Sequence, residues 1–213
     1  PKEILTRTLS TIARGGNFML NIGPKGDGSV SEEVVLALQN SGNWVKRYPK
    51  TIYGNAGASP WQHTLPWGDV TVQGKTISLL VYDWPITGKL YLHGLQSKIR
   101  SISMLSASGK QPLRYTKNNN WLIIDIPFKS PEKLVSVIEV TVFDTVKVDA
   151  TLSIDPQCDT ELNVLFATTH NCKKEDHSWM EKFGEWKHVS RITNWLPDAT
   201  ASWNVKIARA GYY

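Results

Sequence analysis

The residues in this chain that could do chemistry are few and scattered. Asp27, Glu32 and Glu33 are carboxylates bunched behind a short apolar run, Asn17 to Ile22. Two carboxyl groups held close together can act as a nucleophile and an acid/base. The ordinary reading of these three is stronger. Asp27 sits between Gly26 and Gly28 in a turn, and Glu32 lies three residues after Ser29, the spacing of a helix capping box. Asn17 and Asn21 are amides in an apolar run, and each needs a partner if buried, because an unsatisfied amide costs about 1–3 kcal/mol. Backbone groups of neighbouring segments are favoured over a ligand for both. His170, His177 and His188 share a region with Cys158, Cys172, Glu175 and Asp176, but their spacings fit no metal-ligand pattern, so a solvated loop is favoured. His63 and His93 read as ordinary sheet residues. The two cysteines are either one disulfide or two free thiols.

These groups need elements to hold them. Lys2 to Arg14 places Ile4, Leu5, Leu9 and Ile12 at helical spacing and stops at Gly15-Gly16. Asn17 to Ile22, bounded by glycines and Gly23-Pro24, reads as a strand buried on both faces. Val34, Val35, Leu38, Val45 and Tyr48 then follow a helical period to Pro49. Helix, buried strand and helix together form the repeating unit of an α/β barrel or doubly wound sheet, and such a unit needs partner strands. From Val70 the pattern changes to short strands: Val70–Val72, Thr76–Trp84, Leu90–Leu92, Ile99–Leu105, Leu113–Tyr115, Trp121–Ile126 and Val135–Phe143. Gln73-Gly74-Lys75 and Lys117 to Asn120 mark turns, and Leu122, Ile124 and Ile126 alternate as the inner face of an antiparallel sandwich. Beyond Asp144, Val146–Ile154 alternate as a strand and Leu162–Phe166 form a further candidate.

Composition narrows the class. The 213 residues are 41% hydrophobic and 20% charged, which is a globular balance, and no run approaches a membrane span. A formal net charge of +5 with nine Trp raises nucleic-acid binding, but Lys and Arg are scattered singly and the Trp sit within strand patterns, so no nucleic-acid partner is expected. Abundant Trp also suits sugar stacking, although Trp in a core is commoner. For Trp186, Trp195 and Trp203 core is the default. No cofactor is indicated.

Two sets of motifs carry a resemblance. Gly15-Gly16-Asn17-Phe18-Met19-Leu20-Asn21-Ile22-Gly23-Pro24, Asp27-Gly28, Gly42-Asn43-Trp44-Val45 and Ile52-Tyr53-Gly54 resemble the last strand and helix of the catalytic barrel of α-L-fucosidases, glycoside hydrolase family 29. Leu79 to Pro85 and Gly88 to Leu95 resemble the β-sandwich that follows the barrel in that family. The segments Met180 to His188, Ala201 to Ile207 and Ala210 to Tyr213 resemble the opening of a jelly-roll carbohydrate-binding module.

The resemblance implies a mixed, mostly β fold: the terminal helix-strand-helix of a (β/α)8-type barrel, then an antiparallel β-sandwich, then the start of a jelly-roll-like module. Its expected limits are 1–54, 55–144 and 145–213. It also implies a retaining, exo-acting α-L-fucosidase working through a covalent glycosyl-enzyme intermediate, with the catalytic Asp and Glu outside this fragment. The alternative is a non-catalytic carbohydrate-binding or structural sandwich module. Phe18 is implied to touch the C5 methyl of fucose, weighed evenly against barrel core, with Asn17 and Asn21 as the other substrate-binding candidates. A fucosylated glycan and the missing barrel portion are the implied partners, in a secreted or periplasmic protein.

Overall fold

The computed structural model describes residues 1–54, 56–182 and 185–211. Phe183, Gly184, Tyr212 and Tyr213, which belong to the jelly-roll motifs, lie outside the described residues, as does the side chain of Trp186. The architecture has three layers: two helices, a five-stranded sheet and a three-stranded sheet.

Helix α1 (Lys2–Ala13) places Leu5, Leu9 and Ala13 one turn apart, and all three are buried. Helix α2 (Glu32–Arg47) buries Ser41 and Trp44, with Tyr48 continuing that face just past its end. Its N-terminal half is less covered, since Val35, Leu36 and Leu38 are exposed. The helix starts at Ser31 without a side-chain cap. Ser29 does not form the expected capping box, because its N–H and hydroxyl both donate to Asp27 Oδ1 in a local turn.

Strands β1 (Gly68–Gln73), β2 (Thr76–Val81), β3 (Lys89–His93), β4 (Ile99–Ser106), β5 (Gly109–Pro112), β6 (Tyr115–Asn118), β7 (Trp121–Asp125) and β8 (Ser136–Val142) form two antiparallel sheets. Their orders are β1-β2-β8-β4-β5 and β3-β7-β6. Alternation decides which side chains meet. Ile77 and Leu79 of β2 and Ile138 and Val140 of β8 face Leu90, Leu92, Leu122 and Ile124 across the sandwich. Leu80 and Val137, at the opposite phase of the same strands, pack against Leu5, Leu9, Trp44 and Tyr48. Strands β2 and β8 of the five-stranded sheet are therefore buried on both faces. The expected inner residues Leu122, Ile124 and Ile126 are all buried.

The stretch before β1 packs into the core. Trp61 and Trp67 are almost fully buried, and their indole N–H groups donate to His93 O and Tyr91 O, both at 2.8 Å. Those carbonyls belong to β3, an edge strand. Two tryptophans thus fill one end of the sandwich and satisfy an edge that would otherwise be open to another chain.

Beyond residue 150 lie β9 (Leu152–Ile154), β10 (Thr168–His170), β11 (Lys173–Lys182), β12 (Glu185–Thr193), β13 (Thr200–Ser202) and β14 (Val205–Ile207). They pair as β11 with β12, β10 with β13, and β9 with β14, the last in parallel. Only the end of the expected Val146–Ile154 strand forms, because Asp149 Oδ1 accepts from the N–H and hydroxyl of Thr151 and turns the chain. Residues 164–166 make a single 3-10 turn, with Asn163 Oδ1 accepting from Leu165 N–H. The His- and Cys-bearing stretch expected as a loop is largely strand, exposed along β11 and β12.

Candidate functional site

Segment 15–31 joins the two helices, and both helices are clamped to the sandwich. Arg14, at the end of α1, donates to Asp69 Oδ1 at 2.5 Å, and Asp69 is fully buried. Tyr82 Oη donates to the other oxygen of that carboxylate at 3.1 Å. Ser59 N–H donates to Ala13 O at 2.7 Å. On α2, Trp44 Nε1 donates to Val135 O at 2.8 Å, while Arg47 and Tyr48 Oη converge on Glu132 Oε1 at 2.7 and 2.6 Å. Burial and the Glu132 carboxylate raise the Tyr48 pKa, so that hydroxyl stays a donor.

Residues 17–22 do not form the expected buried strand. They are extended but unpaired, with Met19 90%, Leu20 42% and Ile22 37% exposed. A strand of this composition is stabilised only when neighbours pair with both edges and cover both faces, and no other described strand lies alongside it. Phe18 is half-buried, while Asn17 and Asn21 are exposed. Among the described residues neither amide makes the backbone hydrogen bond expected of it, and both side chains are open to solvent. The segment brings Phe18 and the two asparagines into one loop.

The nearby carboxylates do not make an acid/base pair. The hydroxyl and N–H of Ser29 lower the Asp27 pKa, so this exposed group is a committed anion with no proton to give. Glu32 and Glu33 lie in the first turn of α2, where a carboxylate complements the helix dipole. Among the described residues, no group of three His, Cys, Asp or Glu is placed to hold a metal ion. On the β11–β12 ribbon, Ser178 Oγ lies 2.8 Å from His188 Nδ1, and His188 Nε2 lies 3.9 Å from Asp176. That cross-strand row is open to solvent, and Ser190 already donates to Asp176 at 2.6 Å. It is a polar ladder across a hairpin.

Cys158 and Cys172 are both free thiols, and burial pushes the Cys158 pKa up to about 12, which leaves it unreactive. His93 lies on β3 as expected, whereas His63 lies in a turn outside any strand. Burial lowers the pKa of both imidazoles and keeps them neutral. Trp203 Nε1 donates to Asn163 O and Trp195 Nε1 to Ile192 O, so both indoles use their polar edge within the fold.

Asp155 is the buried carboxyl that gives the clearest pH signature. It is 4% exposed, Oδ2 has no partner, and burial raises its pKa to about 6 despite the N–H of Gln157 donating to Oδ1. Because the folded-state value lies above the unfolded one, its contribution to stability is complete below about pH 4 and is lost as pH rises through about 6. Two units at about 1.4 kcal/mol each bound the loss at about 3 kcal/mol. Asp155→Asn is expected to raise stability at pH 7 by about 1–3 kcal/mol and to flatten the pH dependence between 4 and 6. Denaturant melts at pH 4 and 7 check this, and a variant no more stable than the parent chain at pH 7 contradicts it.

Comparison with known proteins agrees with the motifs. Residues 1–50 match the family model described as Alpha-L-fucosidase. The plasma α-L-fucosidase of Pongo abelii is 27% identical over 131 residues, covering 59% of this chain and 28% of that protein. The tissue α-L-fucosidase of Macaca fascicularis is 30% identical over 140 residues, covering 61% and 28%. The chain thus spans a little over a quarter of the length of the curated relatives it matches.

Among solved structures, the α-L-fucosidase of Vibrio sp. strain EJY3 superposes with a TM-score of 0.62 at 15% identity, over 93% of this chain and 45% of that one. A GH29 α-L-fucosidase of Bacteroides thetaiotaomicron, solved as a trapped covalent intermediate, superposes with a TM-score of 0.57 at 23% identity, over 67% and 32%. At these identities the structural likeness speaks to fold alone. The similarity to α-L-fucosidases expected from the motifs is borne out in sequence and in fold.

Proposed function

We propose that this chain is part of a retaining, exo-acting α-L-fucosidase that hydrolyses terminal α-L-fucosyl linkages of glycans. The observation that carries the reading is the match of residues 1–50, the helix-segment-helix unit, to the fucosidase family. The exposure of Met19, Leu20, Ile22, Val35, Leu36 and Leu38 supports it. A barrel would cover that apolar surface with parallel strands and the neighbouring helix. Residues 1–54 are then the end of a catalytic barrel, 55–144 a sandwich against which it rests, and 145–213 an accessory β module of jelly-roll type.

The chemistry follows from the retaining mechanism. A nucleophilic carboxylate attacks the anomeric carbon and a second carboxyl protonates the departing oxygen. The covalent fucosyl-enzyme is then hydrolysed by water activated by that second group. A covalent intermediate has been trapped in the Bacteroides thetaiotaomicron relative. Asp27 is ionised and carries no proton to donate, which does not suit it to the acid/base role; in this reading the catalytic Asp and Glu both belong to the rest of the barrel. Phe18 would lie against the apolar C5 methyl of fucose, while Asn17 and Asn21 would hydrogen-bond its hydroxyls or the adjoining loops. Secretion or periplasmic export suits an enzyme acting on extracellular glycans.

The test is hydrolysis of p-nitrophenyl α-L-fucoside. The 213-residue chain alone is expected to release no nitrophenol, and a longer parent protein that includes the upstream barrel is expected to release it. In that parent, Phe18→Ala is expected to lower kcat/KM by about tenfold or more, the value of burying one apolar contact at a sugar methyl. A parent protein without fucosidase activity overturns the proposal.

A further inference from the structure

A cavity of about 460 Å³ lies between the end of α1, the turn 62–66 and the segment 152–166. Its volume is within the range of small-molecule sites. Three kinds of group line it. His63 is one, 7% exposed, with neither ring nitrogen hydrogen-bonded to any of the described residues. A neutral imidazole has one donor and one acceptor to satisfy, so this buried ring is short of two partners. Phe166 closes over it edge-on, with ring centroids 5.8 Å apart at 71°, yet Phe166 is itself 42% exposed.

Arg14 is the second kind of group. Asp69 and Ser10 O occupy Nη1 and Thr64 Oγ1 takes one hydrogen of Nη2, which leaves two of the five guanidinium N–H groups outside these bonds on a residue that lines the cavity. The third is the rim, where Asp159 and Glu161 are exposed carboxylates, and Asn163 keeps its amide N–H groups free because only its oxygen is used, by Leu165 N–H.

The charge balance selects the ligand. Asp69 already neutralises Arg14, so the two rim carboxylates give the mouth a net negative charge that repels phosphates, sulfates and acids. What remains is a mixed set of donors and acceptors beside the apolar side chains of Phe166 and Leu165. That set fits a neutral ring with hydroxyls on its edge and C–H groups on its face. We propose that this cavity binds a neutral monosaccharide unit of a glycan, seated on Phe166 beside His63, with its hydroxyls on Glu161 and Arg14. The reading stands on the donor set and does not rest on the proposed hydrolase activity.

The experiment is an NMR titration of the full 213-residue chain with methyl α-L-fucoside, methyl β-D-galactoside and, as an anionic comparison, glucose 6-phosphate. Saturable shifts of the His63 ring and of backbone amides in 152–166 are expected with at least one neutral glycoside, with an affinity of about millimolar and glucose 6-phosphate at least about tenfold weaker. Phe166→Ala is expected to weaken binding about tenfold and Glu161→Gln about fivefold, the latter by removing a charged acceptor from a sugar hydroxyl. Both side chains are exposed, so both variants retain the fold. The proposal is overturned if no neutral glycoside saturates these signals, if the phosphate binds equally well, or if neither substitution changes the affinity. Because no fucoside is cleaved in this assay, its outcome is independent of the hydrolysis test.

Discussion

Trp44→Ala is expected to release the two helices from the sandwich at a temperature where the sandwich still holds. The indole is 2% exposed, lies 5.0 Å from the Tyr48 ring, and packs in a small core with Leu5, Leu9, Leu80 and Val137. Truncating a buried Trp costs about 3–5 kcal/mol, and the orphaned Val135 carbonyl, which now accepts from Nε1 at 2.8 Å, adds to it. The loss falls on the smaller of two cores. The larger one, around Leu79, Leu92 and Leu122, shares strands β2, β4 and β8 with it and has no helix residue among its described members.

The helical signal in circular dichroism should therefore melt about 10 °C or more below the fluorescence transition of the sandwich tryptophans Trp61 and Trp67. Leu92→Ala, a cavity in the larger core, should carry both signals down together. Coincident transitions in Trp44→Ala would mean that the helices and the sandwich are one cooperative unit, and the two-core reading would fail.

That division explains which parts of the fold were legible in the sequence. The sandwich is encoded locally: alternation at Leu122, Ile124 and Ile126 sets the inner face of β7, and Gly74 turns the β1–β2 hairpin with a positive φ of 58°. The helices were legible for the same reason, since Leu5 and Leu9 fall on one stripe. Residues 17–22 were misread as a formed strand because apolar composition records the burial a segment requires and says nothing about what supplies it. Val146–Ile154 alternates convincingly, yet the Asp149–Thr151 turn leaves only its last three residues as strand.

The cavity was invisible at the sequence level. Arg14, His63 and Phe166 are far apart along the chain, and only the packing of the segment 152–166 against the turn 62–66 brings them together. An unbonded imidazole is a property of surroundings, and residue spacing carries no signal of it. The roles of Trp61 and Trp67 were equally hidden, because each reaches a carbonyl 32 or 24 residues away.

The second large effect is expected where α1 is pinned to the sandwich. Asp69 is fully buried and Arg14 is its cation, with Tyr82 Oη as its other donor. Arg14→Leu leaves the carboxylate buried with one neutral partner, a change that costs about 3–5 kcal/mol. Asp69→Asn in the Arg14→Leu background removes the stranded charge while keeping an acceptor for Tyr82, so the double variant should be more stable than Arg14→Leu alone by about 1–3 kcal/mol. Such recovery distinguishes an uncompensated charge from mere loss of packing by the arginine stem, which a second substitution would not repair. Equal stability of the single and double variants, measured by denaturant unfolding, would assign the cost to packing. The same pair also aims the guanidinium. With Nη1 fixed on Asp69 and Nη2 on Thr64, the guanidinium is held in place beside the cavity that Arg14 lines. Asp69→Asn alone should therefore weaken sugar binding as well as stability, because it loosens a guanidinium that lines the cavity.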